Sequence, residues 1–185
     1  MDRLLTTIKW ALVGWGAVSL IFCLWSLAVF MASFGDKARP MRQDQATVDD
    51  VQFVLDRCRL GSDRIQSVPH SYESARPLSG SYQDVYAIKL SHLNLDELTS
   101  TPDQAGLHWY RGDRLPSVVG DAVSVIGQTV DEQQTPWFPS ENELTSNKLY
   151  TYPWRMDYEG TRLIAASVIF IRPSDQTVFY VDFKR

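Results

Sequence analysis

Between Trp10 and Gly35 the alternation of polar and apolar positions disappears: WALVGWGAVSLIFCLWSLAVFMASFG runs 26 residues without a charge, bounded by Lys9 and Asp36. A helix of that length reaches about 39 Å, enough to cross a hydrocarbon core of roughly 30 Å with some tilt. The run outlasts the roughly 7–15 apolar residues of a cleaved secretory leader, and Phe30 stands where a small residue should precede cleavage after Ala32. The pattern therefore predicts a single-pass, uncleaved signal-anchor over 10–35 behind a short tail at 1–9. Basic residues nearly balance across it, with Arg3 and Lys9 before and Lys37, Arg39 and Arg42 after. A short tail ahead of one span then puts the folded part on the extracytoplasmic side. The small pairs Ser19/Cys23 and Ala28/Ala32 would let a second helix approach closely within the bilayer.

Beyond a polar linker at 36–46, periodicity returns. Thr47 and Asp50 have the spacing of a capping box, and Val51, Val54, Leu55 and Cys58 follow at helical intervals, with Gly61 placed to end the helix. Residues 62–81, rich in Ser, Pro, Arg and Gly, read as a long loop. DVYAIKL at 84–90 alternates, with Tyr86, Ile88 and Leu90 on one side of a half-buried strand. Short turns are expected at Asn94–Glu97 and at Thr101–Pro102. Pro116 opens a second helix carrying Val119, Ala122, Val123, Ile126 and Val130, in which Gly120 and Gly127 imply close packing. Residues 131–147 read as a further loop.

The last third is strand-forming. Tyr150, Tyr152, Trp154, Met156 and Tyr158 alternate onto one face, interrupted by Pro153; 162–171 is apolar on both sides, as in a central strand; 177–183 completes a hairpin after RPSDQ. The expected fold is α+β: one N-terminal transmembrane helix, then a small domain over 47–185 with an antiparallel sheet and two main packed helices.

Composition narrows the function classes. Removing Asp2, Arg3 and Lys9 leaves 16 basic and 21 acidic residues from position 36 onward, a balance of −5. No stretch carries the cluster of cations that nucleic acid requires, so nucleic acid is excluded as a partner. Cys58 is the only cysteine in that part, which rules out an internal disulfide there. Glycine-rich phosphate loops, HExxH, CxxC and GxSxG are all lacking, so no cofactor is expected.

His108 and Asp113 in HWYRGDR are the best candidates for a general base and its orienting carboxylate, although along a strand they point to opposite faces; Asp113 fits equally as a cap for the helix near Pro116. His70, His92 and His108 share no helical spacing, and no metal site is expected from them with Asp96 or Glu97. The pairs Asp96/Glu97, Asp131/Glu132 and Glu141/Glu143 fall where caps and solvated turns belong. RGD at 111–113 is too short to carry an adhesion reading.

Trp137 and Phe138, bracketed by Pro136 and Pro139, and the later Tyr150, Tyr152, Trp154 and Arg155 have the composition of a contact surface. The same residues would serve to close a small core, with Trp137 the more exposed of the two tryptophans. The expected function is a membrane-anchored protein-binding domain with membrane lipid and another protein as partners, either an accessory subunit of a membrane complex or a protective protein that captures another. The alternative is a membrane-anchored extracytoplasmic hydrolase using His108 and Asp113.

Overall fold

The computed structural model describes Trp15 and residues 19–27, 45–77, 80–99 and 107–185. The chain divides into two compact units, Met1–Arg39 and Pro40–Arg185.

In the first unit Trp15 and residues 19–27 are helical, and Leu20, Ile21, Phe22, Leu24, Trp25 and Leu27 are exposed. No helix among the described residues is long and apolar enough to cross a membrane. The expected transmembrane helix over 10–35 is corrected accordingly. The signal-anchor, single-pass topology, lipid partner and extracytoplasmic placement, and with them the membrane-anchored function as accessory subunit, protective protein or hydrolase, were all derived from that span and lose their basis with it. Of the four small residues assigned to packing in the bilayer, Ser19 and Cys23 are helical and exposed, while Ala28 and Ala32 lie outside the described residues.

The second unit is an α+β domain built on a six-stranded antiparallel sheet. Its elements are α1 (Val48–Arg57), β1 (Ile65–Glu73), β2 (Tyr82–Leu90), α2 (Leu95–Leu98), β3 (Tyr110–Arg111), α3 (Ser117–Thr129), α4 (Glu141–Leu144), β4 (Tyr150–Glu159), β5 (Arg162–Arg172) and β6 (Thr177–Lys184). The strand order is β1-β2-β6-β5-β4-β3. Period-two alternation sorts the central strands between two cores. Tyr86, Ile88, Val178, Tyr180, Ile169 and Ile171 pack with Val51, Val54 and Leu55 of α1. Val85, Ala87, Phe179, Val181, Val168 and Phe170 pack with Val119, Ala122, Val123 and Ile126 of α3. The sheet is thus covered on both faces, and β2 is buried on both sides rather than half-buried.

Local chemistry explains the elements. Asp50 Oδ2 accepts from the Thr47 N–H at 2.7 Å, holding the first turn of α1. Cys58 sits buried at the end of that helix with its thiol donating to the Val54 carbonyl at 3.4 Å. Burial pushes the thiol up to about 12, which leaves it unreactive at neutral pH.

β1 occupies part of the stretch expected as a loop. It is an edge strand, where Pro69 forfeits no essential ladder donor, and its pairing with β2 shifts register twice. Gln45 Nε2 donates to the Pro69 carbonyl at 2.7 Å on that strand. The turn expected at Thr101–Pro102 lies outside the described residues.

β4 breaks its own alternation. The register slips between Pro153 and Arg155, so Tyr150 and Tyr152 pack on the α1 side but Met156 on the α3 side.

Gly112 shows the tightest backbone approach. It is buried, its N–H donates to the Leu149 carbonyl at 2.8 Å, and an added Cβ would fall 2.5 Å from the Leu144 carbonyl oxygen and against that of Ser146. The RGD tripeptide is thus clamped by its central residue. Gly112→Ala should destabilise the domain by about 1–3 kcal/mol in urea unfolding, since backbone cannot rotate away as a side chain would. An unchanged midpoint would show that this contact is looser than described.

Candidate functional site

α1 packs against Tyr86, Ile88, Ile169, Ile171, Val178 and Tyr180 on its face of the sheet. Beyond these residues the strand register lays out a transverse row: Glu73 opposes Asp84, Asp84 opposes Asp182, Asp182 opposes Ser167, and Ser167 opposes Arg155. Three carboxylates on adjacent strands therefore share one line, with side chains about 5 Å apart at their bases. Like charges so placed repel, and the neighbouring groups are arranged against that repulsion. Ser167 Oγ donates to Asp182 Oδ1 at 2.8 Å, Tyr82 Oη donates to Asp182 Oδ2 at 3.2 Å, and Tyr86 Oη donates to Glu73 Oε1 at 2.9 Å. Arg76, from the β1–β2 connection, pairs through Nη2 with Asp84 Oδ2 and lies 4.5 Å from the centroid of the Tyr82 ring.

Asp84 is the least comfortable member. It is 5% exposed, and its Oδ1 has no hydrogen-bond partner among the described residues. Burial raises its carboxyl to about 6, against the opposing pull of Arg76 and reinforced by Glu73 and Asp182. Burial, with Asp182 adding to it, likewise lifts the Tyr82 phenol, and burial with the Glu73 hydrogen bond lifts Tyr86.

The row borders an aromatic cluster at the edge of α1. The Arg57 guanidinium carbon lies 4.5 Å from the Phe53 ring centroid, 5.6 Å from Trp154 and 5.8 Å from Tyr180, while Nη1 donates to Tyr180 Oη at 2.6 Å. Tyr180 stacks on Tyr86 with centroids 6.1 Å apart and planes 3° from parallel. Phe53 and Trp154 are each 37% exposed, so this cluster opens to solvent.

The six residues expected at an interface are dispersed by the fold. Phe138 meets Phe170 and Phe179 edge-on at 6.1 and 5.9 Å and belongs with the α3-side core. Tyr152 is buried against Trp109, and Tyr150 packs on the same α1-side core. Trp137 is partly buried and stacks on His70 at 5.2 Å. Only Trp154 and Arg155 are exposed, and Arg155 pairs with Asp157.

The hydrolytic pair is corrected on geometry. Both Asp113 oxygens accept from Arg111, at 2.6 Å from Nε and 2.8 Å from Nη2. That bond, and not an imidazole, holds the Asp113 carboxyl below its usual range. His108 lies against the Tyr110 ring at 3.9 Å. Nor does Asp113 cap α3, which begins after Pro116 without a side-chain cap.

Among the described residues no group of three or more His, Cys, Asp or Glu is placed to hold a metal. Glu97 is engaged by Arg64 at 3.0 Å, Glu141 by Ser124 at 2.6 Å, Glu143 by Arg172 at 3.0 Å, and Asp131 accepts from the Gln133 N–H at 2.9 Å. Four of the six paired acidic residues of the sequence thus hold turns and helices in place. A cleft of about 320 Å³ between α3 and the segment around the start of α4 is lined by Glu132, Thr135, Phe138, Ser140 and Glu141.

No family model, no curated protein and no solved structure matches this chain.

The row and the aromatic cluster were not singled out from the sequence, yet a signal existed. Asp84 and Asp182 each occupy the inward parity of an otherwise apolar strand, in step with Tyr86 and Ile88 or with Val178 and Tyr180. Because the folded-state value for Asp84 lies above the ordinary 3.8, its contribution to stability is complete below about pH 4 and lost as pH rises through about 6. Relative to Asp84→Asn, the unsubstituted protein should therefore lose about 1–3 kcal/mol between pH 4 and pH 7 in urea unfolding. Parallel pH profiles for the two proteins would show that Asp84 titrates as an ordinary surface carboxylate.

Proposed function

We propose that the domain is a recognition module that binds a basic polypeptide segment across the acidic row on the α1 side of the sheet. The observation that supports this best is the Glu73–Asp84–Asp182 row: it stores like-charge repulsion and a buried carboxylate in the free chain, and a cationic ligand would relieve both. Groups held at a cost to stability are characteristic of sites that act on something else. The bordering Phe53, Arg57 and Trp154 have the residue types that dominate binding hot spots, half-exposed at one edge of the row. The acidic excess of the chain from position 36 onward adds long-range attraction for a basic partner.

The reading is one of binding rather than catalysis. Asp84 is engaged by Arg76, and Asp182 and Glu73 accept bonds from neighbouring hydroxyls. The surface also differs from the aromatic loop at 136–139, whose Phe138 is core.

The test is titration of the full chain with a short unstructured peptide carrying two arginines, against the same peptide with glutamines. Binding should be confined to the arginine peptide and should weaken with salt. Asp182→Asn and Trp154→Ala should each reduce affinity by about tenfold, the scale of one lost hot-spot contact, while the circular dichroism spectrum is retained. Equal binding of both peptides, or affinity indifferent to both substitutions, would overturn the proposal.

A further inference from the structure

We infer that Asp84 and the Tyr82 ring form a subsite for a guanidinium group, occupied in the free chain by Arg76 and open to an arginine of the bound segment. The inference rests on the binding reading above and names the side chain that this face selects.

Three observations carry it. The first is the internal occupant. The Arg76 guanidinium stacks over Tyr82 at 4.5 Å while pairing with Asp84, which is how a planar cation is held between an aromatic face and a carboxylate.

The second is that this pairing is incomplete. Among the described residues only Asp84 Oδ2 is engaged; Oδ1 is buried without a partner there, on a side chain 8% exposed. A guanidinium fork matches both oxygens of a carboxylate, and one arriving from outside is free of the short tether that fixes Arg76 eight positions from Asp84. Arg76 itself is 36% exposed, so its guanidinium reaches water when it leaves, and the incoming guanidinium takes over the pairing that the buried Asp84 would otherwise lose.

The third is repetition on the same face. Arg57 is likewise held among Phe53, Trp154 and Tyr180, so two guanidinium groups on this face rest against aromatic rings, whereas Arg155 at the end of the row pairs with Asp157. An ammonium offers neither the plane for Tyr82 nor the fork for Asp84, and the subsite should therefore prefer arginine to lysine. The groups facing Asp84 are Glu73 across β1, Asp182 across β6, Arg76 from the connection and the Tyr82 and Tyr86 phenols of its own strand. Of these, the Glu73 and Asp182 carboxylates favour a cation beside it.

Removing the internal occupant tests the subsite directly. In the full chain at pH 7.5, Arg76→Ala should unfold at a lower temperature than the unsubstituted protein. Methylguanidinium at tens of millimolar should restore several degrees, whereas methylammonium at equal ionic strength should not. The double variant Arg76→Ala/Asp84→Asn should show no restoration. Equal effects of the two cations, or equal effects in the single and double variants, would overturn the inference.

If Arg76→Ala does not fold, the same comparison is made on Arg76→Lys by the shifts of the Tyr82 ring resonances. Methylguanidinium should move them and methylammonium should not; unmoved resonances would refute the subsite. No polypeptide enters these measurements, so the subsite can hold while peptide binding fails. Conversely, the arginine peptide can bind, with dependence on Asp182 and Trp154, while methylguanidinium has no effect.

Discussion

The pairing of β2 with β6 is the constraint from which the site follows. Eight consecutive pairs run unbroken from Tyr82 opposite Lys184 to Lys89 opposite Thr177. This register is fixed by apolar partners, Tyr86 with Tyr180 and Ile88 with Val178 toward α1, Val85 with Val181 and Ala87 with Phe179 toward α3. A slip of one residue would turn every one of them to the wrong face and carry charge under a helix. Asp84 is therefore brought opposite Asp182 by its neighbours' burial and not by any attraction of its own. Ser167, Tyr82 and Arg76 then offset part of a repulsion that the hydrophobic register imposes.

How far the sequence discloses this arrangement depends on the distance over which each feature is determined. The faces of α1 and α3 are set within four residues, and Val51/Val54/Leu55 and Val119/Ala122/Val123/Ile126 announce them. The three C-terminal strands are likewise legible from local alternation. β1 is not, because IQSVPHSYE combines a proline with polar residues that only an edge position tolerates. Nor is the break in β4: nothing local marks the extra residue at Trp154 that sends Met156 to the opposite face from Tyr152. The uncharged run at 10–35 has the composition of a spanning helix, yet no helix among the described residues is long and apolar enough to cross a membrane.

The candidate site was the least legible because it depends on contacts between remote positions. Tyr82 and Asp182, 100 residues apart, meet only once the sheet order is known. By contrast the local motifs that attracted attention resolved into structural roles. Asp113 is bound by Arg111 two residues away, Glu97 by Arg64, and Phe138 by two core phenylalanines. Composition also misled about the aromatic residues: Trp154 is exposed and Phe138 is core, although both lie among prolines and polar residues in sequence.

A face that sets aromatic rings beside carboxylates, and that already holds two of the chain's own guanidinium groups, is suited to reading cationic side chains. The account stands on Asp84 being a buried carboxyl that a cation can draw into its charged form. Side-chain carboxyl carbon NMR followed across pH measures that directly. Asp84 should titrate near pH 6 in the free protein and at lower pH once an arginine-bearing peptide is added. A midpoint in the ordinary carboxylate range, or one that the peptide does not move, would contradict the account.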